Sequence, residues 1–172
     1  MTVRVRTLDA TETTRRIDAL VDILCDAVDG GTSVSFLPPM DRALARRFWE
    51  KTIAAVATGD RVLFVAEDDA GPLGTVQLEI VATPNQPHRC EVAKLLVHRR
   101  ARRQGVGRKL MQALEAEARR AGRTLITMDT RKGDNAEQLY VSLGYTIAGV
   151  IPRYALSGEG TRDDTAILYK EL

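Results

Sequence analysis

Leu95-Leu96-Val97-His98-Arg99-Arg100-Ala101-Arg102-Arg103-Gln104-Gly105-Val106-Gly107-Arg108-Lys109-Leu110 carries an apolar strand pattern into a helical one through a turn of arginines and glycines. Such a junction is an anion site, because the first amides of a helix have no intrahelical partner and carry partial positive charge. Gly105 and Gly107 have no side chains to hold a pyrophosphate off the backbone. Two familiar phosphate designs fail on side chains. A P-loop needs Gly-Lys followed by Ser or Thr, and a dinucleotide fingerprint needs a third glycine where this chain has Leu110.

Outward from this stretch, the preceding residues Arg89 to Val97 read as a strand. Val106, Leu110, Leu114, Ala118 and Ala121 then follow helical spacing, with Gly122 as a stop. Upstream, Leu20, Val21, Leu24 and Val28 mark a helix from Ile17 that ends at Gly30-Gly31. A second helix carries Leu44, Phe48, Trp49, Ile53 and Val56 after an Asp41 N-cap. Val62–Ala66 and Thr75–Val81 form a hairpin across Asp68–Pro72. Downstream come a strand over Thr124–Met128, a helix from Asn135 to Leu143, and strands at Tyr145–Val150 and Ala166–Tyr169. Met1–Arg6 alternates apolar and basic residues as an edge strand does. The expected fold class is α/β: a mixed, mostly antiparallel central sheet with helices on both faces, in one domain over residues 1–172.

Of the 25 basic residues, six fall between Arg99 and Lys109, so a formal net charge of only +2 conceals one local anion site. Nucleic acid is an unfavoured partner, since aromatic residues make up 5% of the chain and none interleaves with that cluster. No apolar run approaches the length that crosses a bilayer, and Met1–Arg6 lacks the apolar core of a signal peptide, so membrane insertion is not expected. Two cysteines, Cys25 and Cys90, make neither a disulfide framework nor a metal site; no metal is expected, and a cytoplasmic setting fits. A homodimer is left open.

Arg102, Gly105 and Gly107 satisfy the Arg/Gln-x-x-Gly-x-Gly/Ala signature of the Gcn5-related N-acetyltransferases. Asn135-Ala136, Leu139-Tyr140 and Leu143-Gly144-Tyr145 resemble that family's second run, with its opening compressed. The chain thus resembles this family over essentially its whole length. The resemblance implies the acyl-CoA N-acyltransferase fold and acetyl-CoA as acetyl donor. It implies that Arg102, Arg103, Gln104, Gly105, Val106, Gly107 and Arg108 hold the pyrophosphate, with Asn135 nearby. The Leu96 and Val97 backbone would pair with the pantetheine arm, and Arg99, Arg100 and Arg103 become candidates for the 3′-phosphate.

Acetyl transfer needs a neutral amine, whereas an alkyl amine with a pKa near about 10 is protonated at pH 7, so a base is required. Glu91 interrupts an apolar strand and, on strict alternation, shares a face with Ala93, Leu95 and Val97. Asp129 follows an apolar strand at its carboxyl end, where open α/β sheets place ligands. A hydroxyl could protonate the departing thiolate, and the family's matching tyrosine corresponds to Tyr140. In a toxin-inactivating member of the family, the residues matching Glu91 and Asp129 are implicated as bases and the one matching Tyr140 as the acid. Thr32, Ser33, Ser35 and Phe36 follow the first helix and are expected to border the acceptor pocket.

The expected activity is acetylation of a primary amine on a small molecule, such as an amino-acid-like toxin or antibiotic. Acidic lining suits any cationic acceptor, so acetylation of protein N-termini or lysines stays open. From another class, a non-catalytic module that binds CoA or nucleic acid would use only the Arg99–Lys109 cluster.

Overall fold

The structure, a computed structural model, describes residues 2–172; the Met1 end of the expected edge strand lies outside the described residues. A short strand β1 (Arg4–Leu8) leads into helices α1 (Ala10–Arg15), α2 (Ile17–Asp29) and α3 (Arg42–Thr58). Strands β2 (Arg61–Asp68), β3 (Gly71–Ile80) and β4 (Arg89–Val97) follow. Then come α4 (Val106–Arg120), β5 (Leu125–Arg131), α5 (Asn135–Ser142), β6 (Thr146–Leu156) and β7 (Arg162–Glu171). The seven strands form one sheet in the order β1-β2-β3-β4-β5-β7-β6. Every neighbouring pair is antiparallel except β4 with β5.

Helices cover both faces, as the apolar patterns require. On one face Leu20, Ile23 and Leu24 of α2 and Trp49 of α3 bury against Leu63 and Val65 of β2. On the other, Val106, Leu110, Met111 and Leu114 of α4 bury against Phe64, Val76 and Leu78. Alternation along β2 thus feeds two separate cores.

Four elements differ from the sequence expectation. Helix α1 is additional, nucleated by a capping box in which Asp9 accepts from Glu12 N and Glu12 reaches back to the Asp9 amide. Strand β5 runs on to Arg131, past the expected end at Met128, so Asp129 lies within the strand, opposite Ile167 of β7. Strands β6 and β7 extend well past the expected segments because they form a long hairpin with each other. Its β6 edge is solvated nearly throughout, so no burial pattern marks its length in the sequence.

Two irregularities position the site. Strands β4 and β5 pair only at Arg89–Leu125, Cys90–Ile126 and Glu91–Thr127, then part. Within β4, Ala93 faces Gln77 while Leu96 faces Thr75, which leaves one extra residue in β4 and places Lys94 at φ 50°. This bulge shifts the side-chain phase. Cys90, Val92, Leu95 and Val97 all belong to the α4-side core, whereas Leu96 joins the opposite core. The expected grouping of Glu91 with Leu95 and Val97 is therefore corrected: alternation read straight through Lys94 misses the bulge.

Candidate active site

The parting of β4 and β5 opens the centre of the sheet and leaves the β4 edge beyond Glu91 unpaired on that side. Two adjoining concavities occupy the opening. The first, about 480 Å³, is bordered by Leu95 and Val97 of β4, by Arg102, Arg103, Gly105, Val106, Gly107 and Arg108, and by Asn135, Ala136 and Leu139 of α5. The second, about 250 Å³, lies deeper in the cleft.

Backbone conformation builds the first. Gly105 caps α4 at φ 77° with no side-chain hydrogen bond to the helix, so its side contributes nothing to the first amides. Those of Val106, Gly107 and Arg108, in the first turn, have no intrahelical acceptor, and all three residues border the groove. A Cβ on Gly107 would stand 3.1 Å from Leu139 Cδ2 and within 3.9 Å of Leu95 and Val97 side chains, so glycine keeps this wall open. An anionic diphosphate fits a groove of this make, with Arg103 and Arg108 beside it.

The arginines divide by role. Arg102 Nε donates to the Val97 carbonyl at 3.1 Å and its other end reaches Asp26 at 3.5 Å. Arg99 is bound to Asp26 through both its amide, at 2.8 Å, and its guanidinium. Arg100 leans on Asp68 and the Gly71 and Pro72 carbonyls. Asp26, its side chain 8% exposed, is thus a hub between the end of α2 and the turn after β4. Burial would raise its pKa, but the Arg99 hydrogen bonds and nearby His98 hold it below the usual carboxylate range. Of the three candidates for a terminal phosphate, only Arg103 borders the groove; at φ 61° it donates to Asn135 Oδ1 at 3.2 Å.

The deeper cavity collects Thr32, Ser33 and Ser35 from the loop after α2, Glu79 from β3, Glu91 to Leu95 from β4, Asp129 and Thr130 from β5, and Asp134 and Tyr140 from α5. The three expected catalytic side chains therefore meet at one cavity. Arg89 ion-pairs with Glu91 and also donates to Thr127 Oγ1 at 2.9 Å, spanning the last paired rung of β4 and β5. Tyr140 is 6% exposed, and burial, with the charges of Asp134 and Asp129, pushes its hydroxyl above the usual tyrosine range. A phenol in that setting stays protonated, so its hydroxyl proton is available to a departing group.

One expected contact lies elsewhere: the Phe36 ring packs edge-on against Phe48 at 5.7 Å, in the α2–α3 core. The Leu96 side chain is buried in that core and the Gln104 side chain donates to the Arg100 carbonyl at 2.9 Å, which leaves their backbone groups as what they can offer a cofactor. Conversely, sequence reasoning passes over Glu79, Lys94, Arg131 and Asp134. Asp134 caps α5 through the Ala136 and Glu137 amides, at 2.8 and 3.0 Å, a role its position before a helical run could have signalled. Arg131 ion-pairs with Asp163 at 2.7 Å and donates to the Gly31 carbonyl at 3.2 Å, closing the groove from β5. Lys94 has no sequence signal at all, since Glu91-Val92-Ala93-Lys94-Leu95 looks like regular alternation.

Comparison with known proteins is consistent with this geometry. The sequence model of the acetyltransferase (GNAT) domain matches residues 59–147. An uncharacterized N-acetyltransferase from the hisH–hisA intergenic region of Azospirillum brasilense is 32% identical over 130 residues, covering 70% of this chain and 76% of that protein. Among solved structures, yncA of Salmonella typhimurium, an acetyltransferase with its cofactor acetyl-CoA, superposes with a TM-score of 0.80 at 21% identity, covering 100% of this chain and 95% of that one. An N-acetyltransferase from Staphylococcus aureus Mu50 gives a TM-score of 0.82 at 20% identity over 99% of both chains.

Proposed function

The chain belongs to the GNAT acetyltransferases, enzymes whose acetyl donor is acetyl-CoA, and from that premise we propose that its acceptor is the primary amine of a small molecule. The observation that carries this reading is the deeper cavity: about 250 Å³, walled by the Thr32–Ser35 loop, and lined by Glu79, Glu91 and Asp129. A space of that size admits a molecule of amino-acid dimensions, and its carboxylates attract an ammonium.

Bound along the groove, acetyl-CoA supplies a thioester whose acetyl carbon is open to a neutral amine. Glu91 and Asp129 receive the acceptor as a cation and take the proton it must lose, directly or through water. One Glu91 oxygen is engaged by Arg89, so Glu91 orients the ammonium while Asp129, an exposed β5 residue on the cavity wall, is the better-placed proton acceptor. As the C–N bond forms and the C–S bond breaks, the electron pair leaves on sulfur and Tyr140 gives it the hydroxyl proton. The free amides of Val106, Gly107 and Arg108 hold the diphosphate, and the unpaired β4 edge holds the pantetheine arm.

Within the family, the Gly30–Phe36, Glu91–Leu95 and Asp129-Thr130 stretches resemble the tabtoxin resistance protein. That likeness favours an amino-acid-like toxin or antibiotic as the acceptor and a protective role in the cytoplasm. A thiol-release assay with acetyl-CoA on a panel of small amines and peptides tests the reading. Turnover of small amines is expected; turnover of peptides alone would replace it with acetylation of protein N-termini or lysines.

A further inference from the structure

Among the described residues, Lys94 is the one cationic residue lining the deeper cavity, together with Glu79, Glu91, Asp129 and Asp134. The β4 bulge holds it at φ 50°, a left-handed conformation unfavourable for a residue with a side chain, and puts it on the cavity wall. Its ammonium donates to Ser35 Oγ at 2.9 Å and stands 6.0 Å from the centre of the Phe48 ring. Asp129 and Glu79 are near enough to act on it electrostatically, yet among the described residues its side-chain hydrogen bond is to a neutral hydroxyl and not to either carboxylate. An ammonium with three donors, held by one hydroxyl and left unpaired beside acids, retains capacity for an anion from outside.

We propose that Lys94 and Ser35 bind a carboxylate of the acceptor while Glu91 and Asp129 face its ammonium, so that the enzyme selects amino-acid-like zwitterions over amines without an acid group. This rests on reading the cavity as a small-amine site. The charge pattern discriminates in both directions. A polyamine or plain alkylamine leaves Lys94 without an anion, and a diamine turns a second cation toward it. A zwitterion satisfies both signs across one short molecule. Burial pulls Lys94 below the usual lysine range, with Asp129 and Glu79 opposing that fall and Arg61 adding to it. A carboxylate on Nζ holds the ammonium in its charged form.

The test compares kcat/KM, by thiol release with acetyl-CoA, for each common L-amino acid, its C-terminal amide and its decarboxylated amine. In the wild type the best acids should exceed their amides about tenfold to a hundredfold, mostly through KM, as for the loss of one charge-assisted hydrogen bond. In Lys94→Gln and Lys94→Met that ratio should fall toward one, and Lys94→Arg should restore part of it. Acetyl-CoA affinity measured on the same variants identifies any that have lost the fold, so the ratio is read only on intact protein. Equal use of acids and amides by the wild type would overturn the proposal and leave the small-amine reading standing, as would an unchanged ratio in both neutral variants. Turnover of peptides but of none of these compounds would remove both.

Discussion

Tyr140 shows how one residue can be legible in kind and still depend on its surroundings for its use. The Leu139-Tyr140 pair identifies the position, but only the folded chain packs its ring edge-on against Tyr145, at a centroid separation of 6.0 Å, and places the residue on the cavity wall. Burial raises its pKa above the ordinary value of about 10. The sign matters: a raised pKa keeps the acid form present as pH rises through the whole assay range, so loss of this proton does not shape the rate profile between pH 6 and 9. Tyr140→Phe should lower kcat by about 100-fold at every pH in that range, leaving the curve's shape and the acetyl-CoA affinity nearly as they were. Stopped-assay rates across pH, with calorimetric titration of acetyl-CoA, check both halves. Full activity would remove the general-acid role.

At the scale of elements, the turn from β4 into α4 does its work through backbone, and that explains why it was readable. Glycines at a helix start report directly on conformation: Gly105 occupies φ 77°, and a Cβ on Gly107 would press on the Leu139 side chain at the groove wall. Gly107→Leu should raise the acetyl-CoA dissociation constant more than tenfold while the thermal midpoint moves by only a few degrees, measured by titration and by circular dichroism. Unchanged affinity would count against this turn as the diphosphate cradle. Much of the rest of the site is made of departures from regularity, and these leave little mark on a sequence. The bulge at Lys94 inserts a residue without a glycine or proline to announce it, and the parting of β4 from β5 is a property of register. The Arg102 at the head of the signature was visible, but its destination, the Val97 carbonyl and Asp26, was not, because Asp26 lies 76 positions earlier in the chain. Asp9 and Glu12, by contrast, spell out a capping box whose helix is simply too short for apolar periodicity to reveal.

Across the whole molecule, polar side chains buried on the α4 face tie helices to the sheet. Lys170 of β7 donates to Glu115 of α4 at 2.8 Å and to the Leu143 carbonyl at the end of α5 at 2.7 Å, their side chains only 18% and 8% exposed for the ion pair. That single ammonium joins the cofactor-side helix, the tyrosine-bearing helix and the far half of the sheet. Lys170→Met removes one partner of a buried pair and leaves the Glu115 charge with only Arg119, 3.9 Å away. The expected loss is about 3 kcal/mol, because an uncompensated buried carboxylate costs more than the pair contributes. Glu115→Gln with Lys170→Met should recover part of it. Cys90 provides the readout: it is a fully buried β4 residue in the α4-side core, and burial pushes its thiol up to about 11, so it resists alkylation at neutral pH while the sheet is intact. Labelling of Cys90 in graded urea, followed by mass, should therefore begin at lower denaturant in Lys170→Met than in the wild type. Coincident labelling curves would show that the sheet does not depend on this tie.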